Sequence, residues 1–180
     1  MGEYNFYREH NADYFVGKTE VRFATNQELI PLLIDKFVQK VDMIDVVLDK
    51  TARQDYLVKK NKTIPDGATE QQIRAKIGLR VVVDFVQLVM DSCKAISVDY
   101  NSLVVTKQNI NLMDTKQKLS NIVENLNSSF DKTNLESILS IVTNFAVGIG
   151  LDMDRVESER KKVEEREGNF YRGKLVKIVD

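Results

Sequence analysis

Two prolines and eight glycines in 180 residues leave this chain with long segments that nothing interrupts. Such segments favour helices, because Pro and Gly are the strongest local breakers. From Asn26 the apolar residues Ile30, Leu33, Phe37, Val41, Ile44 and Leu48 recur at helical spacing,. They predict a first helix with Asn26 as N-cap, running to about Thr51 and toward Val58. Pro65-Asp66-Gly67 breaks the pattern as a turn,. Thr69 with Gln72 then has the form of a capping box opening a second helix to about Ala95,. Its stretch LRVVVDFVQLVM is apolar nearly all round, which places it at the centre of the core,. The β-branched run Val81–Val83 could suit a strand, but its length and flanks favour helix.

Three more helices follow from the same periodicity: Lys107 to Ser129, Asn134 to Val147, and Met153 to Glu167. Asp152 or Asp154 caps the last and Gly168 ends it,. Gly148-Ile-Gly150 reads as helix termination, since no strand precedes it. The tail Lys174-Leu-Val-Lys-Ile-Val alternates as a short strand or strap does. The expected fold is therefore all-α: about five helices in a single domain, 1–180, with a short extended C-terminal tail. A weak similarity of Leu88–Val104 to Ile141–Glu157 suggests degenerate repeats over 26–105 and 107–180, a pseudo-duplicated helical hairpin.

Composition excludes several functions. A net charge of −1 draws the chain neither to nucleic acid nor to an acidic membrane,. Lys50 to Arg80 holds eight Lys/Arg against three Asp/Glu and reads as a solvated linker. Cys93 is the sole cysteine and His10 the sole histidine, too few for a disulfide framework, a zinc site or Ser-His-Asp chemistry,. With no 18-residue apolar run and a charged N-terminus, the expectation is a cytoplasmic protein without membrane contact.

The two ends of the chain carry a resemblance. EYNFYREH and the helix from Asn26 open it; a charged helix, Gly168-Asn-Phe-Tyr-Arg-Gly173 and a hydrophobic tail close it. This frame, over some 90 residues at the two ends of the chain, is similar to the MazG-like all-α NTP pyrophosphohydrolases, in particular the phosphoribosyl-ATP pyrophosphohydrolase-like branch. The resemblance implies a homo-oligomer that takes a nucleotide or another phosphate-bearing small molecule. It also implies Mg2+ held by glutamates and an aspartate on facing helices, as hard oxygen ligands for the metal. Here the motifs depart. Gln39, Lys40 and Met43 stand where three glutamates belong, and Asn134 and Ser137 replace the second pair. In the alternative second motif the aspartate survives as Asp84, with Val81 for the glutamate.

Other acids could stand in. Asp42, Asp45 and Asp49 form a stripe on the first helix, and Asp84 and Asp91 a pair on the second. A relocated metal set would use Asp42, Asp45, Asp84 and Asp91, provided their faces meet; if Asp42 and Asp45 face solvent, that set loses support. Buried Asp84 needs a partner such as Arg80, a lysine or a metal. Around the closing turn, Arg166, Arg172 and Lys174 are the candidate phosphate contacts and Tyr171 a candidate base-stacking ring. The other cations of the last helix, Arg160 among them, read as a solvated face.

The leading expectation is a catalytically degenerate relative that binds a nucleotide without efficient hydrolysis. The alternatives are an active Mg2+-dependent pyrophosphohydrolase using the relocated aspartates, and a non-catalytic helical protein-interaction module.

Overall fold

A computed structural model describes residues 19–23, 25–62, 64, 66–109, 111–169 and 175–179, with the two terminal strands, 19–23 and 175–179, described by their backbone alone. The fold is an all-α bundle, with six α-helices among the described residues: α1 (Asn26–Leu48), α2 (Lys50–Lys59), α3 (Glu70–Ala95), α4 (Thr115–Asn125), α5 (Lys132–Gly148) and α6 (Met153–Glu167). One small ribbon accompanies them. Strand β1 (Thr19–Phe23) pairs antiparallel with β2 (Leu175–Val179), Thr19 opposite Val179 and Phe23 opposite Leu175. The alternating tail is thus a strand from Leu175 onward.

Helix α3 is the axis of the bundle. It packs against α1, α5 and α6, while α4 bridges α1 and α5. Every residue from Val81 to Val89 is buried, so the β-branched run sits inside a helix enclosed on all sides. Each large apolar side chain buried there contributes on the order of 1.5–3 kcal/mol, which overrides the weak helix propensity of valine. Phe85 and Phe37 of α1 lie 6.5 Å apart, ring centroid to centroid, where the two helices meet.

Local chemistry sets the helix ends. Thr25, not Asn26, is the N-cap of α1, because its hydroxyl accepts from Glu28 N while the Glu28 carboxylate accepts from Thr25 N. The expected Thr69–Gln72 box opens α3. The first helix stops at Asp49, whose Oδ1 accepts from the amides of Thr51 and Ala52 and starts α2 as a separate helix. The supposed solvated linker is in part a packed elbow. Arg53, 2% exposed, donates to Val47 O at the end of α1 and pairs with Glu70 at the start of α3.

The largest departure lies between α3 and α4. The expected helix from Lys107 begins only at Thr115, and residues 103–109 form an extended strap along α5. Val104 N donates to Glu136 Oε2, Thr106 N to Ser140 Oγ and Gln108 N to Asn144 Oδ1. Two extended residues advance about 6.6 Å and four helical ones about 6 Å, so alternate strap amides meet every fourth side chain of α5. Helix α6 spans Met153–Glu167 as expected, capped by Asp152 and ended by Gly168 at φ +81°.

Candidate functional site

Helices α1, α3 and α6 together carry a polar seam through an otherwise apolar bundle. On α3, Arg80, Asp84, Gln87 and Asp91 recur at spacings of four, three and four, which puts them on one face,. Asp84, Gln87 and Asp91 are buried. On α6, Glu157, Arg160, Glu164 and Glu167 form the opposing row.

At one end of the seam, Asp84 finds the partner its burial demands, and finds two. Lys40 Nζ of α1 lies 2.8 Å from Oδ2 and Arg80 Nε lies 2.9 Å from Oδ1. The Arg80 guanidinium also reaches across to Glu167, with Nη1 and Nη2 each donating at 3.0 Å to one carboxylate oxygen. Burial alone would lower the Arg80 pKa; its hydrogen bonds to Glu167 and Asp84 and their negative charge outweigh that and raise it. The same hydrogen bond from Arg80 holds the Glu167 pKa below the ordinary glutamate value, against the smaller opposing effect of burial. Arg166 also donates to Glu167, at 3.0 Å. Lys40, Arg80 and Arg166 therefore contact two carboxylates, Asp84 and Glu167, where α1 and α3 meet the end of α6.

At the other end, Arg160 is not on a solvated face. Its side chain is 6% exposed, with Nη1 donating to Gln87 Oε1 at 2.8 Å and to Glu164 at 3.0 Å. Nε and Nη2 hold Glu157 in a bidentate pair. Gln87 passes the chain on, its Nε2 donating to Asp91 Oδ1 at 3.0 Å. The hydrogen bond from Arg160 depresses the Glu157 pKa, and that from Glu157 raises the Arg160 pKa. Position 160 lies on the same α6 face as buried Val156 and Val163, and that spacing is the signal that the solvated-face reading of Arg160 missed,.

The structure does not bring Asp42, Asp45, Asp84 and Asp91 together. Asp42 and Asp45 are exposed on α1 and turn toward α4, where Lys116 Nζ lies 3.9 Å from the first and 2.6 Å from the second. Asp84 is engaged by Lys40 and Arg80, and Asp91 is enclosed beside Gln87. Among the described residues, no cluster of three or more His, Cys, Asp or Glu side chains could hold a metal ion. These acids thus do not fit Mg2+ as one donor set. Of the positions that the sequence resemblance aligns with acids, Lys40 meets Asp84, while Asn134 and Ser137 donate to Ser129 O and Thr133 O near the start of their own helix. Arg172, Lys174 and Tyr171 lie outside the described residues.

Two grooves flank the strap, of about 470 Å³ and 860 Å³, and neither is lined by any residue of the polar seam. Nothing in the amino-acid pattern announced them, because they exist only where the strap lies over α5. Among the described residues no single helix is long and apolar enough to cross a membrane. No family model, no curated protein and no solved structure matches the chain.

Proposed function

We propose that this chain is a catalytically degenerate relative of the MazG-like NTP pyrophosphohydrolases, binding a nucleotide or related phosphate-bearing molecule without efficient hydrolysis. The observation that supports it most is the Lys40–Asp84 ion pair. By the resemblance, position 40 belongs to a metal-binding glutamate and Asp84 is the surviving aspartate. A lysine ammonium on that aspartate supplies in place the positive charge that a metal would bring, but activates no water. The cations beside it suit a phosphate. Arg80 and Arg166 already present guanidinium donors to the Glu167 carboxylate, the geometry in which arginine also grips phosphate oxygens,. A phosphate would displace Glu167 from these donors, and Tyr171, Arg172 and Lys174 follow within seven residues in sequence.

The test is thermal melting of the whole chain against a panel of nucleoside triphosphates and monophosphates, with and without Mg2+, alongside a pyrophosphate-release assay. A ligand at a hundredfold excess over its Kd stabilises the native state by about 2.7 kcal/mol. The expected result is a rise in Tm with at least one nucleotide, of equal size with and without Mg2+, and no pyrophosphate. Arg80→Ala and Arg166→Ala should reduce the rise. Mg2+-dependent pyrophosphate release that disappears in Asp84→Asn would instead establish an active enzyme, and a flat response to every nucleotide would end the proposal.

A further inference from the structure

The narrower of the two grooves carries both signs of charge. It is formed by the strap, α4 and α5, and of its described lining residues Lys118 is the one cation and Glu136 the one anion. The two do not pair with each other. Lys118 makes no ion pair among the described residues, and Glu136 uses only Oε2, which accepts from Val104 N at 2.8 Å. Glu136 Oε1 and the Lys118 ammonium are therefore both available in one groove of about 470 Å³, a size suited to a small molecule,. Two further lining residues have an open hydrogen-bonding atom. Asn121 Oδ1 accepts from Gln117, which leaves Nδ2 to donate. Ser137 Oγ donates to Thr133 O, which leaves the hydroxyl oxygen to accept. The wider groove differs, since Lys107 is the one charged residue among its described lining.

We propose that the narrower groove binds a free amino acid that carries a side-chain carboxamide. A ligand with one charge would leave the other groove charge unmet, whereas a zwitterion meets both. Its α-carboxylate takes the Lys118 ammonium and its α-ammonium takes Glu136 Oε1, each as a charge-assisted hydrogen bond. A carboxamide is both acceptor and donor, so it accepts from Asn121 Nδ2 and donates to Ser137 Oγ,. Other classes fit less well. No aromatic ring lines the groove among the described residues, so a nucleobase finds no face to stack on,. Glu136 repels a phosphate or a second carboxylate,. The groove shares no lining residue with the polar seam, so this site is independent of a nucleotide held at the end of α6.

The probe is L-glutamine, titrated into the whole chain by calorimetry and followed through the amide resonances of the strap, α4 and α5. The expected result is binding, with shifts concentrated at Val104, Thr106, Lys118 and Asn121. Capping the ammonium (N-acetyl-L-glutamine) or the carboxylate (L-glutamine α-amide) should each weaken it about tenfold, the loss of one charge-assisted hydrogen bond. Glu136→Gln keeps an acceptor for Val104 N and Lys118→Met keeps the apolar stem, and each should weaken glutamine by a similar factor. The pairing of caps and variants is the decisive readout: N-acetyl-L-glutamine should be indifferent to Glu136→Gln, and the α-amide to Lys118→Met. L-Leucine and L-glutamate, which lack the carboxamide, should bind more weakly. If either variant does not fold, the capped ligands decide the matter on the unaltered chain. No heat and no shift with glutamine up to about 10 mM would overturn the proposal. So would capped ligands or leucine that bind as tightly as glutamine, losses that do not follow the two variants, or shifts confined to the polar seam.

Discussion

Lys40 Nζ lies 2.8 Å from Asp84 Oδ2, joining the middle of α1 to the middle of α3 through a carboxylate that is 6% exposed. Asp84 cannot be buried charged without such a partner, and with Arg80 on its other oxygen both oxygens are engaged,. Because one side of the pair is desolvated, its coupling exceeds that of an exposed ion pair. A double-mutant cycle with Lys40→Met and Asp84→Asn, measured by urea unfolding, should give a coupling energy of about 1 kcal/mol. A value of a few tenths would mean that Lys40 spends its time in solvent, and would remove the support it lends to a cation-filled nucleotide site.

Arg160 should matter more than any other cation of α6. Replacing it by alanine leaves Gln87 Oε1 without its donor inside the seam and opens a gap between α3 and α6. The half-exposed partners Glu157 and Glu164 can turn to water, so the cost is set mainly by the orphaned amide and the lost packing, about 2–3 kcal/mol. Arg160→Met keeps most of the packing and should lose about 1 kcal/mol. Both should shift the urea midpoint with an unchanged slope. Equal losses for Lys161→Ala, an exposed neighbour, would show that the seam contributes nothing.

What was readable along the chain is what local chemistry decides. The Thr69–Gln72 box, the Asp152 cap and the glycine stop at Gly168 need only residues within one turn, and each stands where its pattern put it. The all-apolar α3 was equally plain, since only a central helix buries every side. The strap was not readable. Its residues carry no turn signal, and what keeps them extended is Glu136, Ser140 and Asn144, which lie 32, 34 and 36 residues beyond their strap partners in the sequence. Asp42 and Asp45 show the same limit from the other direction. Their spacing is that of a ligand pair, but which way the α1 face turns depends on where α4 brings Lys116.

Gly78 marks a close approach of α3 to the end of α5. A Cβ there would lie 2.4 Å from Ile149 Cδ1 and 3.3 Å from Val47 Cγ1, and both neighbours are fully enclosed. Alanine would gain about 0.5–1 kcal/mol of helix propensity within α3. Overpacking costs more, typically about 1–3 kcal/mol. Gly78→Ala should therefore lower stability by about 1 kcal/mol. Ile149→Val in the same chain, by relieving the contact at Cδ1, should recover part of the loss. If Gly78→Ala raises Tm, α3 and the end of α5 do not pack as closely as described.

Acid should weaken the α3–α6 seam before it affects the apolar core. Hydrogen bonds from Arg160 and Arg80 hold the Glu157 and Glu167 carboxyls below the ordinary value of 4.5 in the folded chain. In the unfolded chain the arginines are gone and both groups return to that value. A depressed folded pKa binds fewer protons than the unfolded state, so the stability it contributes is complete above about pH 4.5 and is lost as pH falls through the folded values. The arginines stay charged throughout, so only the carboxylates set this window. Thermal melting from about pH 6 down to about pH 3 should show a decline steepening below 4.5,. In the double variant Glu157→Gln/Glu167→Gln the chain should begin less stable at pH 6 and decline less steeply, because the groups that titrate are absent. A decline identical to that of the unaltered chain would place the acid sensitivity elsewhere in the molecule.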